Sequence, residues 1–261
     1  MPTAKVNGFN VNYTITGEGE PLILIMGLAS SQSSWMYQTR FFKKNYRVIT
    51  FDNRGAGKSD KPEGPYSIRM MADDTVHLMN HLGIEKANIL GLSMGGMIAQ
   101  ELAINYPKRV MKLVLGCTCA CHDDALNGQS PEFDKALDLY THGKVLPLAS
   151  LLFNSKTNKV SSAFLMKIQA KLMKSSDLKG FLAQREAFVK HNAVDRLALI
   201  TAPTFVLVGT EDKVIKPSSS EVMAKLIPNA RLIRIEKGSH TFPAEMSNRF
   251  NKEVLYFLRS N

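Results

Sequence analysis

Cysteine is scarce in this chain: Cys117, Cys119 and Cys121 are the only three among 261 residues. An odd number so crowded cannot make a disulfide framework. Cys-x-Cys-x-Cys-His122 also lacks the paired C-x-x-C spacing of zinc modules and has no second cluster elsewhere, so a structural role is expected and no metal. Long apolar runs are missing too. No stretch reaches the roughly 18 uninterrupted apolar residues of a membrane span. The start, Met1-Pro-Thr-Ala-Lys-Val-Asn-Gly8, lacks the basic, apolar and small-residue segments of a signal peptide. The expectation is a soluble cytoplasmic protein with no membrane partner. Internal repeats and low-complexity tracts are absent, which excludes a solenoid or a disordered tail. Acidic residues are outnumbered, 23 against 33 Lys and Arg, for a formal charge of +10. That excess permits nucleic-acid binding, but its distribution argues against it: lysines recur singly from Lys135 to Lys190 at helical spacing, as on a solvated helix face, and no aromatic residues interleave with a basic stripe. No nucleic-acid partner is expected.

What is present is 44% apolar content in a chain long enough for one large core with a modest insertion. Short β-prone apolar runs alternate with amphipathic segments from Pro21 onward, the signature of an α/β protein whose mostly parallel sheet is covered on both faces by helices. Asn7-Gly8 suits a two-residue turn in an initial hairpin. Buried strands are expected at residues 21–26, 47–52, 87–92, 111–117, 204–209 and 230–236. Helices are expected at residues 33–44, 67–82, 94–106 and 217–226, with a last one from about 245 to 258. Ser67 is a good N-cap, Gly83 a good C-terminal residue, and Pro107 stops the third helix. The rhythm breaks over residues 120–197, where Phe164, Leu165, Ile168 and Leu172 recur at helical spacing and no buried strand can be found. These residues read as a helical cap inserted in a core made of residues 1–119 and 198–261.

Gly91-Leu-Ser93-Met-Gly95 lies where the β-run Ala87-Asn-Ile-Leu-Gly-Leu92 passes directly into a helical pattern, the context of a nucleophile elbow. A turn that tight has no room for side chains two residues either side of the serine. The string alone is weak evidence and reads equally as a plain turn. Its weight comes from the order downstream: Asp212 follows the strand Phe205-Val-Leu-Val-Gly209, and His240 follows the next strand. Ser93 as nucleophile, Asp212 as acid and His240 as base then stand in sequence order, each at the carboxyl end of a strand.

At these residues the chain resembles the α/β-hydrolase superfamily along almost its whole length, and within it small, lid-bearing bacterial carboxylesterases and 3-oxoadipate enol-lactonase-like hydrolases. Phe51-Asp-Asn-Arg54-Gly-Ala-Gly57-Lys-Ser59, Gly209-Thr-Glu-Asp212 and Gly238-Ser-His240 match the family's loop after its fourth strand and its acid and base loops. The resemblance implies an oxyanion hole from the backbone N–H groups of Leu28 and Met94. A His-Gly pair often stands in the family where Met26-Gly27 stands here, so any polar bracing by that histidine is absent. The implied activity is hydrolysis of a small ester or lactone through an acyl-enzyme, with no cofactor; the oligomeric state is unspecified.

Other readings stand beside this one. Glu211, Asp123 or Asp124 could replace Asp212. Gly57-Lys-Ser59 suggests a phosphate loop, but Asp52 occupies the place of its first glycine, which rejects it. His77 and His81 share a helix face without the glutamate of a metal-binding H-E-x-x-H. Met26, Met94, Met97, Met166 and Met173 read either as an adaptable acyl pocket or as ordinary core. The same triad also serves C–C bond hydrolysis and perhydrolysis, and a small-molecule receptor can retain it.

Overall fold

The computed structural model describes residues 2–122, 131–153 and 177–260. The chain opens with β1 (Thr3–Val6) and β2 (Phe9–Thr16), joined across Asn7 and Gly8, both of which adopt positive φ (45° and 85°) as such a turn demands. The remaining strands are β3 (Pro21–Ile25), β4 (Arg47–Phe51), β5 (Ala87–Leu92), β6 (Val110–Gly116), β7 (Thr204–Gly209) and β8 (Ala230–Ile235). All eight form one sheet in the order β1-β2-β4-β3-β5-β6-β7-β8, antiparallel at β1/β2 and β2/β4 and parallel from there on. Every residue of β5 and β7 is buried, which is why these strands run almost wholly apolar rather than alternating, with Asn88 and Thr204 the polar residues near their starts.

Alternate residues feed two cores. Ile23, Ile25 and Ile89 face one side, where they meet α2 (Ile68–His81) and α3 (Met94–Asn105). Leu22, Leu24 and Leu90 face the other, against Phe42 of α1 (Met36–Phe42) and the C-terminal helix. The Ser67 side chain accepts the Met70 amide at 3.0 Å and so caps α2.

One helix differs from the sequence reading. Residues 33–44 do not form one helix: a 3-10 turn, Gln32–Trp35, precedes α1. Ser31 and Ser33 hydrogen-bond each other at 2.6 Å, and the Gln32 amide is drawn to the Asp52 carboxylate, so local and long-range bonds outcompete a regular first turn. The last helix forms as expected over residues 247–259, and Met246, whose φ/ψ of −117°/37° is not helical, separates it from a short preceding helix.

Between β6 and β7 the described residues form α4 (Pro131–Thr141), α5 (Val145–Leu152), α6 (Leu178–Val189) and a 3-10 turn, Val194–Leu199. Phe164, Leu165, Ile168 and Leu172, together with Met166, Met173, Asp123 and Asp124, lie outside the described residues. After β7 come α7 (Pro217–Leu226), α8 (Phe242–Glu245) and α9 (Ser247–Arg259). Among the described residues no helix is long and apolar enough to cross a membrane.

Residues 120 and 121 run beside 192 and 193: Cys121 and Asn192 form an isolated bridge, and the Ala193 amide donates to the Ala120 carbonyl at 2.8 Å. This return is tied to α3 by an ionic cluster around the buried Glu101 carboxylate. Arg196 grips the Glu101 carboxylate with both terminal nitrogens, Asn105 donates to it at 2.8 Å, and His191 Nδ1 lies 3.7 Å away. Burial alone would raise the Glu101 pKa, but the hydrogen bonds and charge of Arg196, with His191 and Asn105, bring it below the ordinary value. Burial pushes His191 the opposite way, down to about 4 from 6.5, against the pull of the Glu101 charge.

The folded protein therefore holds His191 neutral down to about pH 4, while the unfolded chain takes up a proton near 6.5, so acidification through that window favours unfolding. Urea denaturation from pH 7 to pH 4 is expected to cost the wild type about 3 kcal/mol more than His191→Gln. Parallel loss in the two proteins would show that this imidazole is not the group responsible.

Candidate active site

The passage from β5 into α3 is made in a single residue. Ser93 adopts φ/ψ of 55°/−127°, a conformation that costs an L-residue about 1–3 kcal/mol and persists only where neighbours over-determine it. They do so here. The Ser93 amide donates to the Gly116 carbonyl of β6 at 3.0 Å, and its carbonyl accepts the Thr118 hydroxyl at 2.7 Å and the Gly96 amide at 2.8 Å. A Cβ on Gly91 would strike the Gly95 backbone, and one on Gly95 would strike the Ile25 carbonyl at the end of β3. Both glycines are thus required by the crossing of two strands and a helix at one point.

Asp212 lies in the turn after β7 and His240 in the turn after β8. The two turns are clamped together: the Glu211 amide donates to the Gly238 carbonyl at 2.8 Å and the Lys237 amide to the Thr210 hydroxyl at 2.9 Å. His240 Nδ1 donates to Asp212 Oδ2 at 2.8 Å, while Oδ1 accepts the Val214 and Ile215 amides at 2.8 and 3.0 Å. With Nδ1 so occupied, the other ring nitrogen is the basic one. The Asp212 side chain is wholly buried, whereas neighbouring Glu211 is exposed; Asp212 is the carboxylate brought to the histidine.

Ser93 and His240 line one cavity of about 170 Å³. Among the described residues the Ser93 side chain makes no hydrogen bond, so its hydroxyl is open to the cavity; hydrogen bonds from nucleophile to base often tighten only once substrate is bound. Leu28 lines the same space from the loop after β3, and Met94 begins α3 immediately behind the serine. Among the described residues no acceptor takes either amide hydrogen. The Met94 amide, at a helix start beside the cavity, is suited to an anionic oxygen. The loop carrying Leu28 lacks the family's histidine, but Asn53 donates from Nδ2 to the Met26 carbonyl at 2.8 Å and supplies the polar brace that the sequence reading missed. The signal was in view, since Asn53 belongs to the Asp52–Ser59 motif.

Phe133 and Leu137 of α4, Leu148 and Leu152 of α5, and Phe181 of α6 make an apolar wall; Ser30, Ser33, Gln38 and Thr241 add polar groups. Met26 also lines the cavity, whereas Met94 and Met97 are core residues. Cys117 reaches it too, but burial and the nearby Asp212 charge push its thiol well up, outweighing the Ser93 backbone, so it makes a poor thiolate. His77 and His81 lie exposed on α2, His81 edge-on to Tyr13, and among the described residues no three metal-ligating side chains cluster. Where a phosphate loop would need a hollow, the Asp52 carboxylate fills it and would collide with a Cβ on Gly57.

The family model described as alpha/beta hydrolase fold matches residues 20–245. The chain is 28% identical over 250 residues to 3-oxoadipate enol-lactonase 2 of Acinetobacter baylyi, covering 94% of this chain and 91% of that one. Among solved structures, the enol-lactonase from Burkholderia xenovorans LB400 superposes with a TM-score of 0.90 at 28% identity, over 99% of this chain and 100% of that one. The meta-cleavage product hydrolase from Pseudomonas fluorescens IP01 does so with a TM-score of 0.81 at 26% identity, over 99% and 97%.

Gly27 leaves the space in front of the serine clear: a Cβ there would sit 2.9 Å from Ser93 Cβ and 3.4 Å from its hydroxyl. Since the Gly27 φ is not positive, alanine is accessible to the backbone. Gly27→Ala is expected to slow covalent labelling of Ser93 by a small phosphonate about a hundredfold, as an ångström of displacement at a reacting group can, and to lower thermal stability, because neither Ser93 Cβ nor the Leu92 carbonyl at 3.3 Å is a flexible group that can give way. Undiminished labelling would mean that the hydroxyl is approached from another side.

Proposed function

Because the chain belongs to the alpha/beta hydrolase fold family, we propose that it is a serine hydrolase that cleaves a small carboxylic ester or lactone through an acyl-enzyme on Ser93. The observation that carries this reading is the buried Asp212–His240 hydrogen bond at the edge of the cavity into which Ser93 faces. His240 Nε2 takes the Ser93 proton as Oγ bonds to the substrate carbonyl carbon. The Leu28 and Met94 amides hold the oxygen that becomes anionic, a service worth about 3–4 kcal/mol per donor in comparable sites. When the tetrahedral species collapses, the C–O bond to the leaving alcohol breaks and His240 returns the proton to that oxygen. Water then repeats the sequence, with His240 again as base, and releases the acid. Asp212 fixes the tautomer and stabilises the imidazolium in both halves. Every proton has a donor and an acceptor within this chain, its substrate or water.

Residues 120–197 act in this proposal as a cap over the core formed by residues 1–119 and 198–261, supplying the apolar wall and no reacting group. The free, buried cysteines suit a reducing compartment such as the cytoplasm.

Ser93 and His240 work as one machine, so their losses should not add. On the best substrate from a panel of chromogenic esters and enol-lactones, Ser93→Ala and His240→Ala are each expected to lower kcat roughly a million-fold, the double variant scarcely more, and Asp212→Ala on the order of ten-thousand-fold. Additive losses, or full activity in Ser93→Ala, would remove the serine from the mechanism. Tight binding of an ester analogue by a wild type with no turnover would make the protein a receptor.

A further inference from the structure

The loop carrying the Leu28 amide is fixed on one side by the core, where Asn53 holds the Met26 carbonyl at 2.8 Å. On its other side it is fixed by α6. Gln184, fully buried at 0% exposure, accepts the Ala29 amide at 2.9 Å through Oε1 and donates from Nε2 to the Arg54 carbonyl at 2.6 Å. Both bonds run to backbone groups, so the side-chain amide has one orientation that satisfies them and a fixed place between two loops. Close docking of the helix makes this reach feasible. A Cβ on Gly180, one turn earlier in α6, would strike the Gly55 backbone, so helix and loop meet main chain to main chain. Ala29 itself stands at φ 56°, a left-handed conformation unfavourable for alanine, and its amide is the one Gln184 takes.

The geometry points to Gln184 as a positioning residue that aims the Leu28 amide into the cavity, so that seating of α6 completes the oxyanion hole; this rests on the serine hydrolase reading above. Leu28 lies between two anchored peptides, one held from the core and one from α6, and its own N–H is left for the substrate oxygen. A binding helix and a catalytic loop are thereby joined through one side chain, and turnover depends on how the helix sits.

The test is Gln184→Met, which keeps the volume and removes both hydrogen bonds. Expected is a fall in kcat/KM of about ten- to a hundredfold, less than or equal to the loss of a whole oxyanion donor. It should be carried by kcat, with an equal fall in affinity for phenylboronic acid, whose tetrahedral adduct on Ser93 places an oxygen in the hole. Affinity for the neutral product alcohol should stay within about twofold, because ground-state contacts are untouched. A folded variant with unchanged kcat/KM, or one whose loss falls equally on product alcohol, overturns the proposal. The wild type provides a second reading that does not depend on a variant folding: in amide hydrogen exchange, Ala29 should be protected and Leu28 should exchange faster. An Ala29 amide that exchanges like an open loop overturns the proposal as well. A wild type that hydrolyses no ester and binds no boronate, with Ala29 still protected, would instead bring down the hydrolase reading while leaving the α6 contact in place.

Discussion

The turn from β5 into α3 is the constraint around which the rest is arranged. A strand and a helix can meet in one residue only if that residue takes an unfavourable conformation and nothing with a side chain stands on either flank. Ser93 meets the first condition at φ 55°, and Gly91 and Gly95 meet the second. The cost is offset by partners from neighbouring strands: Gly116 at the end of β6 accepts the Ser93 amide, and Thr118 just beyond binds its carbonyl. Because β5 lies between β3 and β6, the carboxyl ends of its neighbours flank the elbow. The β3 end brings the Leu28 loop to one side. β7 and β8, on the far side of β6, deliver Asp212 and His240 from the other. Parallel strands point all these ends the same way, so the sheet order assembles the site from residues more than 200 positions apart in the chain.

A second polar assembly supports the first without reaching the cavity. Asp52, 2% exposed, accepts the Gln32 amide at 2.6 Å, the Asn12 side chain at 2.9 Å and the Lys58 amide at 2.9 Å. Arg54 is buried beside it, paired through two nitrogens with Asp74 and lying over the rings of Phe9 and Tyr66, 4.7 and 5.3 Å from their centroids. A buried guanidinium is tolerable when it is so fully matched. The outcome is a rigid loop from which Asn53 holds one side of the Leu28 peptide and the Arg54 carbonyl receives Gln184. The motif thus contributes a framework for the loop that carries Leu28, not a phosphate cradle.

The strands and most helices could be read from sequence because their signals are local: apolar runs of the right length, Ser67 before α2, Pro107 after α3. Ser93, Asp212 and His240 were legible because the fold's strand order converts their chain order into proximity, and the structure places Asp212 against His240 and Ser93 in the same cavity. What escaped depends on partners far along the chain. Gln32 is drawn off the helical path by Asp52, and Asn53 and Gln184 look like ordinary polar residues until their acceptors, 27 and 130 positions away, are known. The apolar cavity residues of α4 and α5 were hidden for a related reason, since an amphipathic helix shows that it covers something without showing what.

This division has a chemical counterpart. Ser93, Asp212 and His240 sit at strand ends whose geometry is over-determined by the sheet, whereas much of the cavity wall comes from α4, α5 and α6, of which α4 packs on the core through side chains such as Phe133 and Leu137. Packed side chains can be exchanged at a cost of about a kcal/mol or so where volume is kept, while Gly91 or Gly95 cannot be exchanged without breaking the elbow. On the serine hydrolase reading proposed above, substrate preference is free to change while the elbow stays fixed, in keeping with the likeness of this chain to both an enol-lactonase and a meta-cleavage product hydrolase. The freedom has a limit at α6. That helix carries Phe181 into the cavity and, one turn on, Gln184 to the Ala29 amide, so a shift that widened the pocket would pull on the loop beside Leu28. Changes of preference should be accommodated chiefly by α4, since the Leu152 carbonyl of α5 accepts the Thr241 amide and hydroxyl at 3.1 and 2.9 Å and α6 is held by the backbone it clasps.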